Sequence, residues 1–232
     1  MRISFLTRLL DLVAPRACAV CGSRLAASER FICSSCVLHL PRTGYHARPQ
    51  DNIVARLFWG RVTVSKASAF IFFRPKAESA AIVYEMKYRG DVGACRYMGR
   101  MMAAELAADG FFDGIDIIVP IPLTRKRRRA RGYNQSEELA RGVAEVAGLP
   151  VDAAVVERKG FSVSQTKLSR GQRMDNVEGT FRLKAPGRIA GRHVLLVDDV
   201  ITSGATMMSC VRAVSEADGV TVSVLALSFS HG

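Results

Sequence analysis

VLLVDDVITSGAT, residues 194–206, is the stretch of sequence that decides the fold. Its first four apolar residues predict a buried strand, and two adjacent carboxylates, Asp198 and Asp199, follow directly. A hydroxyl-rich loop comes next, and Gly204 lets its backbone approach a ligand closely before a helix begins. The backbone N–H groups of such a loop and helix N-terminus favour a bound anion such as phosphate. The loop has no lysine, which argues against a Walker-type nucleoside triphosphatase. The alternative is a strand–turn–helix whose acids serve only as caps.

Around this stretch the sequence alternates between predicted strands and helices. The predicted strands span 115–120, 151–157, 193–197 and 220–228, with a strand–turn–strand over 62–73, and the predicted helices span 78–88, 93–109, 136–147 and 204–216. This alternation predicts an α/β fold with an open, mostly parallel sheet flanked by helices. Ligands of such sheets bind beyond the carboxyl ends of the strands, which is where the acid pair lies.

Four of the six cysteines form two C-x2-C pairs, Cys18 with Cys21 and Cys33 with Cys36. Two such pairs are typical of a four-coordinate structural zinc site. Two disulfides, an iron–sulfur cluster and a redox motif are the alternatives, and a reducing cytoplasm disfavours the disulfides. Because four protein ligands leave no open position, the metal is expected to hold the fold rather than to catalyse.

The 232 residues suffice for one full domain and a smaller unit. Residues 1–60 are predicted to hold a short amphipathic helix and a zinc-ribbon-like four-cysteine module, and residues 61–232 the α/β domain. No apolar run approaches the roughly 18–20 residues that cross a bilayer, and the first residues lack the apolar core of a secretory signal. We therefore expect a cytoplasmic protein, either free or peripheral to the inner face of the membrane.

The formal net charge is +12, and the positive charge is concentrated in the middle of the chain. Residues 120–192 carry 16 basic and 7 acidic side chains, and six of the seven residues 125–131 are basic. Such a surplus favours a polyanionic partner: a nucleic acid, a phosphorylated metabolite or an acidic membrane face. The basic run could contact a phosphorylated ligand, grip a nucleic-acid backbone through about four to six phosphates, or stay a solvated loop.

The stretch 194–206 resembles the thirteen-residue signature of type I phosphoribosyltransferases, which bind 5-phosphoribosyl 1-pyrophosphate (PRPP) with magnesium. Many of those enzymes have two threonines where this chain has Thr202 and Ser203, and serine keeps the hydroxyl group. Over essentially its whole length the chain is similar to the ComF family, also called the ComFC or GntX group. The similarity is carried by the cysteine pairs, the acidic signature, YEMKYRG at 84–90, VPIP at 119–122, RGYNQS at 131–136, and Gln165, Arg173, Asn176 and Phe181.

ComF proteins are phosphoribosyltransferase-like, carry an N-terminal zinc-binding module, and in several cases are linked to natural transformation. There they act on incoming single-stranded DNA at the cytoplasmic side. The resemblance therefore implies a type I phosphoribosyltransferase-like α/β domain with a small zinc module. It also implies Zn²⁺ and Mg²⁺ as metals, and PRPP, single-stranded DNA and DNA-uptake proteins as partners.

The resemblance also implies roles for three groups of residues. The acid pair would hold the ribose hydroxyls and the loop the 5-phosphate, which gives the PRPP-binding set Asp198, Asp199, Thr202, Ser203, Gly204, Ala205 and Thr206. The pyrophosphate would be contacted by Lys87 at a helix end, by a loop with Pro120, Ile121 and Pro122, and by a mobile basic loop that closes over PRPP with Arg125, Lys126 and Arg131. The candidate DNA contacts are Arg127, Arg128, Arg129, Tyr133 and Arg173.

The sequence leaves turnover open. As an enzyme, the chain would be a pentosyltransferase in which an acceptor attacks the anomeric carbon of PRPP. The alternatives are a non-catalytic competence factor that binds single-stranded DNA and a non-catalytic regulator that senses PRPP or a nucleotide. No acceptor pocket is recognisable, no catalytic residue is assigned, and Cys95 and Cys210 are expected to be ordinary buried thiols.

Overall fold

The computed structural model describes residues 16–75, 78–88, 91–159 and 180–230. Within these residues the main sheet has four strands, all parallel, in the order β1-β6-β5-β2. A separate two-stranded antiparallel sheet pairs β3 with β4. The strands are β1 (Ala67–Phe72), β2 (Ile117–Pro120), β3 (Val156–Arg158), β4 (Phe181–Leu183), β5 (His193–Ile201) and β6 (Thr221–Phe229).

Helices cover both faces of the parallel sheet, as expected for strands that read as nearly continuous apolar runs. Leu195 and Val197 of β5 pack toward one face, and Val194 and Leu196 toward the other. The helices are α1 (Ser34–His39), α2 (Ile53–Arg56), α3 (Glu78–Tyr88), α4 (Val92–Ala108), α5 (Arg125–Arg131), α6 (Gln135–Ala147) and α7 (Ala205–Val214).

Helices α4 and α6 pack in close backbone contact on one face of the sheet. A Cβ atom added at Gly99 would lie 2.3 Å from the backbone oxygen of Leu139, and one added at Gly142 would lie 2.3 Å from that of Arg96. Both glycines are therefore required by the approach of the helices. This packing fixes the N-terminus of α6 against the carboxyl end of β5, where the acid pair lies.

The cysteine-containing residues pack on the same face as α4. Cys18, Phe31 and Ile32 belong to the core cluster that contains the buried side chains of α4, and the Phe31 ring meets the Tyr97 ring edge-on at 6.4 Å. The chain that follows the cysteines runs along β1, where the N–H of Thr43 donates to the Phe70 carbonyl. The division of the chain at residue 60 stays a prediction. Among the described residues no helix has the length and apolar character to cross a membrane.

The structure corrects the sequence predictions in three places. Residues 62–66 form no strand, so β1 is a single strand rather than a strand–turn–strand. The predicted strand 151–157 shrinks to β3, because Val151 makes only an isolated bridge and a turn follows it. The basic run 125–131, predicted as a mobile loop, is helix α5: the Thr124 side chain caps its first turn, and Gly132 ends it at φ 80°. The predicted amphipathic helix at 1–13 lies outside the described residues.

Candidate functional site

The two carboxylates of the signature lie at the carboxyl end of β5, beyond the apolar part of the strand. Pairing with β6 continues past them, from Asp198 opposite Ala226 to Ile201 opposite Phe229. The Ser228 hydroxyl donates to the backbone carbonyl of Asp199. The backbone that carries both acids is therefore held in the sheet.

Each carboxylate is bound by the protein through one of its oxygens. Oδ1 of Asp198 accepts from the Ser136 hydroxyl at 2.8 Å and from the Asp199 backbone N–H at 2.9 Å. Oδ2 of Asp199 accepts from Nε2 of Gln135 at 2.9 Å and lies 2.9 Å from Nζ of Lys87. Within the described ranges no hydrogen bond is made to Oδ2 of Asp198 or to Oδ1 of Asp199. One acceptor oxygen on each acid is thus available to a ligand.

The protein environment makes Asp198 a weaker acid than an ordinary aspartate. Burial raises the pKa of Asp198 to about 7, and the neighbouring Asp199 carboxylate raises it as well. The Ser136 hydroxyl, the Asp199 N–H and the Lys87 ammonium act in the opposite direction, since they favour the charged form. The ionisation of this carboxyl group therefore changes near neutral pH.

The loop after β5 encloses a small cavity beside the acids. Gly204 adopts φ 77° and precedes the first residue of α7, so the chain turns sharply into the helix. The cavity has a volume of about 50 Å³ and is lined by Asp198, Val200, Ile201, Thr202, Ser203, Gly204, Ala205, Thr206 and Met207. Six of the seven residues of the predicted PRPP-binding set thus line one cavity, and the seventh, Asp199, lines the adjoining cavity.

The adjoining cavity of about 310 Å³ brings both acids together with several cations. Four basic side chains from three elements line it: Lys87 from α3, Arg127 and Arg131 from α5, and Arg158 from β3. Of the predicted pyrophosphate contacts, Lys87, Ile121, Pro122 and Arg131 line this cavity, whereas Pro120 is buried in β2. Arg127, predicted as a DNA contact, also lies here.

Four successive residues at the start of α6 connect the parts of this site. The hydroxyl of Tyr133 donates to the backbone carbonyl of Met86, next to Lys87. Asn134 caps α6 and donates to the backbone carbonyl of Ile121, in the loop after β2. Gln135 and Ser136 hold the two acids.

A third cavity, of about 750 Å³, adjoins the 310 Å³ cavity, and Pro122, Leu123 and Arg158 line both of them. Arg125 and Lys126, predicted to contact pyrophosphate, line the 750 Å³ cavity and not the 310 Å³ cavity that contains the acids. The other basic side chains that line the 750 Å³ cavity are Arg128, Lys159 and Lys184.

Arg158 is a site residue that the sequence analysis did not find. Its guanidinium lies 5.3 Å from the centre of the Phe181 ring, and its buried Nε has no hydrogen-bond partner in the described part of the chain. Burial lowers its pKa, as does the nearby Arg127 cation, while the Asp198 charge acts oppositely. In the sequence, the one feature that could have indicated Arg158 is its place beside Lys159, directly after the predicted strand 151–157.

The remaining predicted DNA contacts are placed as follows. Arg128 and Arg129 are exposed on α5, and Arg129 lines neither cavity. Tyr133 is partly buried and packs against the core, as an internal anchor does. Arg173 lies outside the described residues, as do Gln165 and Asn176. The DNA contacts stay predictions.

The four paired cysteines form a group that could hold one metal ion. Their Sγ atoms all lie within 4.8 Å of one another, and those of Cys21 and Cys33 are 3.7 Å apart. Tetrahedral zinc with Zn–S bonds of about 2.3 Å requires sulfurs about 3.8 Å apart, so the spacing fits. Hydrogen bonds from Ser23 lower the pKa of Cys21 to about 6, which favours the thiolate that binds metals. The cysteines outside this group, Cys95 and Cys210, are buried.

Comparison with known proteins identifies the family. The model of the phosphoribosyl transferase domain matches residues 99–228, more than half of the chain. The chain belongs to the phosphoribosyl transferase family. Its match begins within α4 and includes the whole acidic signature.

Curated relatives extend the match of this phosphoribosyl transferase chain toward its N-terminus. DNA utilization protein YhgH of Escherichia coli O6:H1 is 28% identical over 214 residues, which cover 90% of this chain and 88% of the relative. Competence protein F of Haemophilus influenzae is 34% identical over 93 residues, 40% of this chain and 41% of the relative. A solved structure of the allosteric regulatory enzyme of purine biosynthesis is 24% identical in sequence, with a TM-score of 0.40. That match covers 57% of this chain and 25% of the chain in the solved structure.

These relatives confirm the predicted ComF-family membership. The predicted α/β fold of the type I phosphoribosyltransferase class, with four clustered cysteines near the N-terminus, is confirmed as well.

Proposed function

We propose that this chain binds PRPP together with Mg²⁺ at the carboxyl end of β5. The observation that carries the proposal is the hydrogen bonding of the acid pair. Asp198 and Asp199 are each held through one oxygen, so the other oxygen of each can accept from a ribose hydroxyl or bind the metal. The small cavity enclosed by 202–206 adjoins the acids on the side where a 5-phosphate would lie, and the helix N-terminus favours an anion there.

The cations of the larger cavity suit the pyrophosphate group. Lys87, Arg127 and Arg131 reach this cavity from two helices, so their charges converge on one space. Preorganised cations would stabilise the negative charge that develops on a departing pyrophosphate. Lys87 would then exchange its contact with Asp199 for one with the ligand.

Magnesium fits this site because its available protein donors are hard oxygens. The unoccupied acceptors are the outer oxygens of Asp198 and Asp199, and Mg²⁺ prefers carboxylate, phosphate and water oxygens. When bound with PRPP, the ion would neutralise part of the pyrophosphate charge. The protein's own part is to orient the ribose and the two phosphate groups.

The relatives' names support a role in DNA uptake. One relative is a DNA utilization protein and another a competence protein, and the family resemblance links such proteins to natural transformation. We propose that ligand binding at β5 serves the handling of incoming DNA in the cytoplasm. Release of pyrophosphate when an acceptor bonds to the anomeric carbon of PRPP would mark the chain as a transferase, whereas binding of PRPP without this transfer in the presence of acceptors would mark it as a sensor.

Thermal unfolding with and without PRPP and Mg²⁺ tests the proposal. A ligand that binds only the native state raises the unfolding midpoint by mass action. The midpoint should rise in the wild type but not in Asp198→Asn/Asp199→Asn. The matched control Asp51→Asn/Asp218→Asn removes the same charge at exposed positions outside the site and should respond like the wild type. Absence of a rise in the wild type, or an equal rise in the site variant, would refute PRPP binding at this place.

Binding of single-stranded DNA is the second candidate function, favoured by the exposure of α5. Its residues 125–130 are all exposed, and five of these six are basic. Contacts with about four phosphates would give a log–log slope of binding against salt near −3. A slope near zero would exclude the backbone-binding role. A steep slope that persists in Arg128→Gln/Arg129→Gln would place DNA elsewhere on the chain.

A further inference from the structure

Gln135 has an unusual hydrogen-bond balance for a buried side chain. It is the first residue of α6, is only 3% exposed, and lines the cavity that contains both acids. Its Nε2 donates to Oδ2 of Asp199 at 2.9 Å. Its Oε1 is buried and, within the described residues, has no hydrogen-bond donor.

The orientation of this amide is fixed by chemistry. Exchanging its oxygen and nitrogen would bring two acceptor oxygens together at 2.9 Å, because Oδ2 of Asp199 already lies 2.9 Å from Nζ of Lys87 and accepts from that side. The bond from Nε2 to Asp199 restrains the whole planar amide, so the direction of Oε1 is set with it. Oε1 therefore cannot rotate away to find a donor elsewhere.

A buried acceptor without a donor costs free energy, and a ligand that supplies the donor recovers it. The acids add to this imbalance, because Oδ2 of Asp198 and Oδ1 of Asp199 also accept no hydrogen bond from the described residues. This wall of the cavity thus offers three acceptors, of which the two hydroxyls of a ribose can satisfy two and a Mg²⁺ ion the remaining carboxylate oxygen. Its nearby donors, Ser136 and Lys87, are already used by the acids.

The chemistry that satisfies such a wall is a sugar with neighbouring hydroxyl groups. A ligand with one hydroxyl fewer leaves a buried acceptor unpaired, and sites of this kind reject such ligands strongly. We infer that Gln135 is a specificity-determining residue, which accepts a hydrogen bond from a sugar hydroxyl and so selects ribosyl over 2-deoxyribosyl phosphates. This inference rests on the proposed binding of a phosphoribosyl ligand at the same cavity.

The test compares two sugar phosphates on the full-length, metal-loaded protein. Ribose 5-phosphate and 2-deoxyribose 5-phosphate are titrated calorimetrically into the wild type, Gln135→Met, Gln135→Glu and Glu145→Gln. The wild type should prefer the ribose compound by about tenfold or more, and Gln135→Met should lose most of that preference. Glu145→Gln, at an exposed position of the same helix, should match the wild type.

The variant Gln135→Glu tests the role of the acceptor oxygen at residue 135 separately from that of the amide donor. Glutamate keeps a carboxyl oxygen as the acceptor but replaces the amide donor with a second oxygen, which repels the nearby Asp199 oxygen. Both affinities should fall, but the preference for ribose should remain. A purely structural role would lower both affinities in Gln135→Met and leave their ratio unchanged.

The outcomes distinguish this inference from the proposed function. Equal binding of the two sugars by the wild type overturns the inference, as does an unchanged ratio in Gln135→Met. Should Gln135→Met not fold, loss of the preference in Gln135→Glu overturns it. If the wild type binds neither sugar phosphate and PRPP gives no thermal stabilisation, the proposed function itself fails, and the inference with it. If PRPP stabilises the protein while the sugar ratio is near one, only the inference fails.

Discussion

Replacement of Ser136 by alanine should raise the pH at which the acid pair becomes competent to bind PRPP. The Ser136 hydroxyl donates to Oδ1 of Asp198 at 2.8 Å and thereby favours the ionised carboxylate. Burial and the Asp199 charge raise the pKa of Asp198 to about 7, and the Ser136 hydroxyl and Lys87 lower it from what it would otherwise be. Without the hydroxyl, the pKa of Asp198 should move above its wild-type value.

The size of the effect follows from the ionised fraction. With a pKa near 7, roughly one tenth of the Asp198 carboxyls are ionised at pH 6 and roughly nine tenths at pH 8, so wild-type affinity should rise about tenfold. A hydrogen bond to a charged group contributes about 1.5–3 kcal/mol, which corresponds to about one pKa unit or more. The Ser136→Ala protein should therefore bind about fivefold more weakly at pH 7 and recover toward pH 9.

The stability of the unliganded protein should depend on pH in a related way. The pKa of Asp198 in the folded state is above the ordinary value for aspartate, so between about pH 4 and 7 the folded state binds more protons than the unfolded state does. The contribution of this carboxyl group to the free energy of unfolding therefore falls as the pH rises through that range. At pH 5 the carboxyl is neutral with or without Ser136. The Ser136→Ala variant should therefore lose more stability at pH 8 than at pH 5.

Calorimetric titration of PRPP and Mg²⁺ from pH 6 to pH 9 measures the shift, with urea unfolding at pH 5 and 8 beside it. The ligand's own phosphate titration is common to all variants, so only the difference between them reports on the protein. Glu145→Gln, on the same helix as Ser136 and exposed, is the control for a charge change. A binding midpoint that stays in place or moves to lower pH in Ser136→Ala would refute the reasoning.

Three further perturbations test the scaffold and the site. Gly99→Ala should destabilise the protein by about 1–3 kcal/mol in urea unfolding, because its Cβ would lie 2.3 Å from a backbone oxygen of α6, whereas Gly187→Ala has open space and should change stability little. Cys36→Ser should abolish binding of one equivalent of zinc in metal analysis and should lower the thermal unfolding midpoint. The control Ser35→Ala should retain the metal, and equal zinc content in the two variants would contradict a four-cysteine site. Gly204→Ala should weaken PRPP binding and cost about 1–2 kcal/mol, because φ 77° strains any residue with a Cβ; unchanged affinity would show that the loop does not bind the ligand.

The fold could be predicted where local pattern and long-range pairing agree. The apolar runs of β5 and β6 and the helical spacing of α3, α4 and α6 gave elements within a few residues of those observed. The end of β5 was predicted too early, at Val197, because two charged residues are a usual sign that a strand has ended. Pairing of Val200 with Ser228 continues the strand, and that partner is supplied by a segment almost thirty residues away.

For the basic run 125–131 the prediction was wrong in secondary-structure type, because a loop was predicted where the structure has helix α5. Six cations in seven residues repel one another, which favours an open loop, but arginine is also a good helix former. The terminal residues decide between the two, because Thr124 caps the first turn and Gly132 accepts the left-handed conformation at the end. Both residues are visible in the sequence, so this helix could have been predicted from its caps.

The site was predictable in its charged residues and not in the contacts that orient them. The signature identified Asp198 and Asp199, but nothing near them in sequence points to Gln135 or Ser136, which lie more than sixty residues earlier. Arg158 was missed for the same reason, since its place between two cavities depends on Phe181 from another strand. Such contacts come from packing, which a single sequence does not show.

The connection of four binding elements through residues 133–136 has a consequence for how the site works. Tyr133 is bound to the carbonyl next to Lys87, Asn134 to the loop after β2, and the next two residues to the acids. Helix α5 ends only one residue before this segment, so a displacement of its cations is transmitted directly to the acid pair. Pyrophosphate contacts and ribose contacts are then energetically coupled, because both depend on the same few hydrogen bonds. A ligand that carries both groups should consequently bind more tightly than separate ribose 5-phosphate and pyrophosphate affinities would suggest.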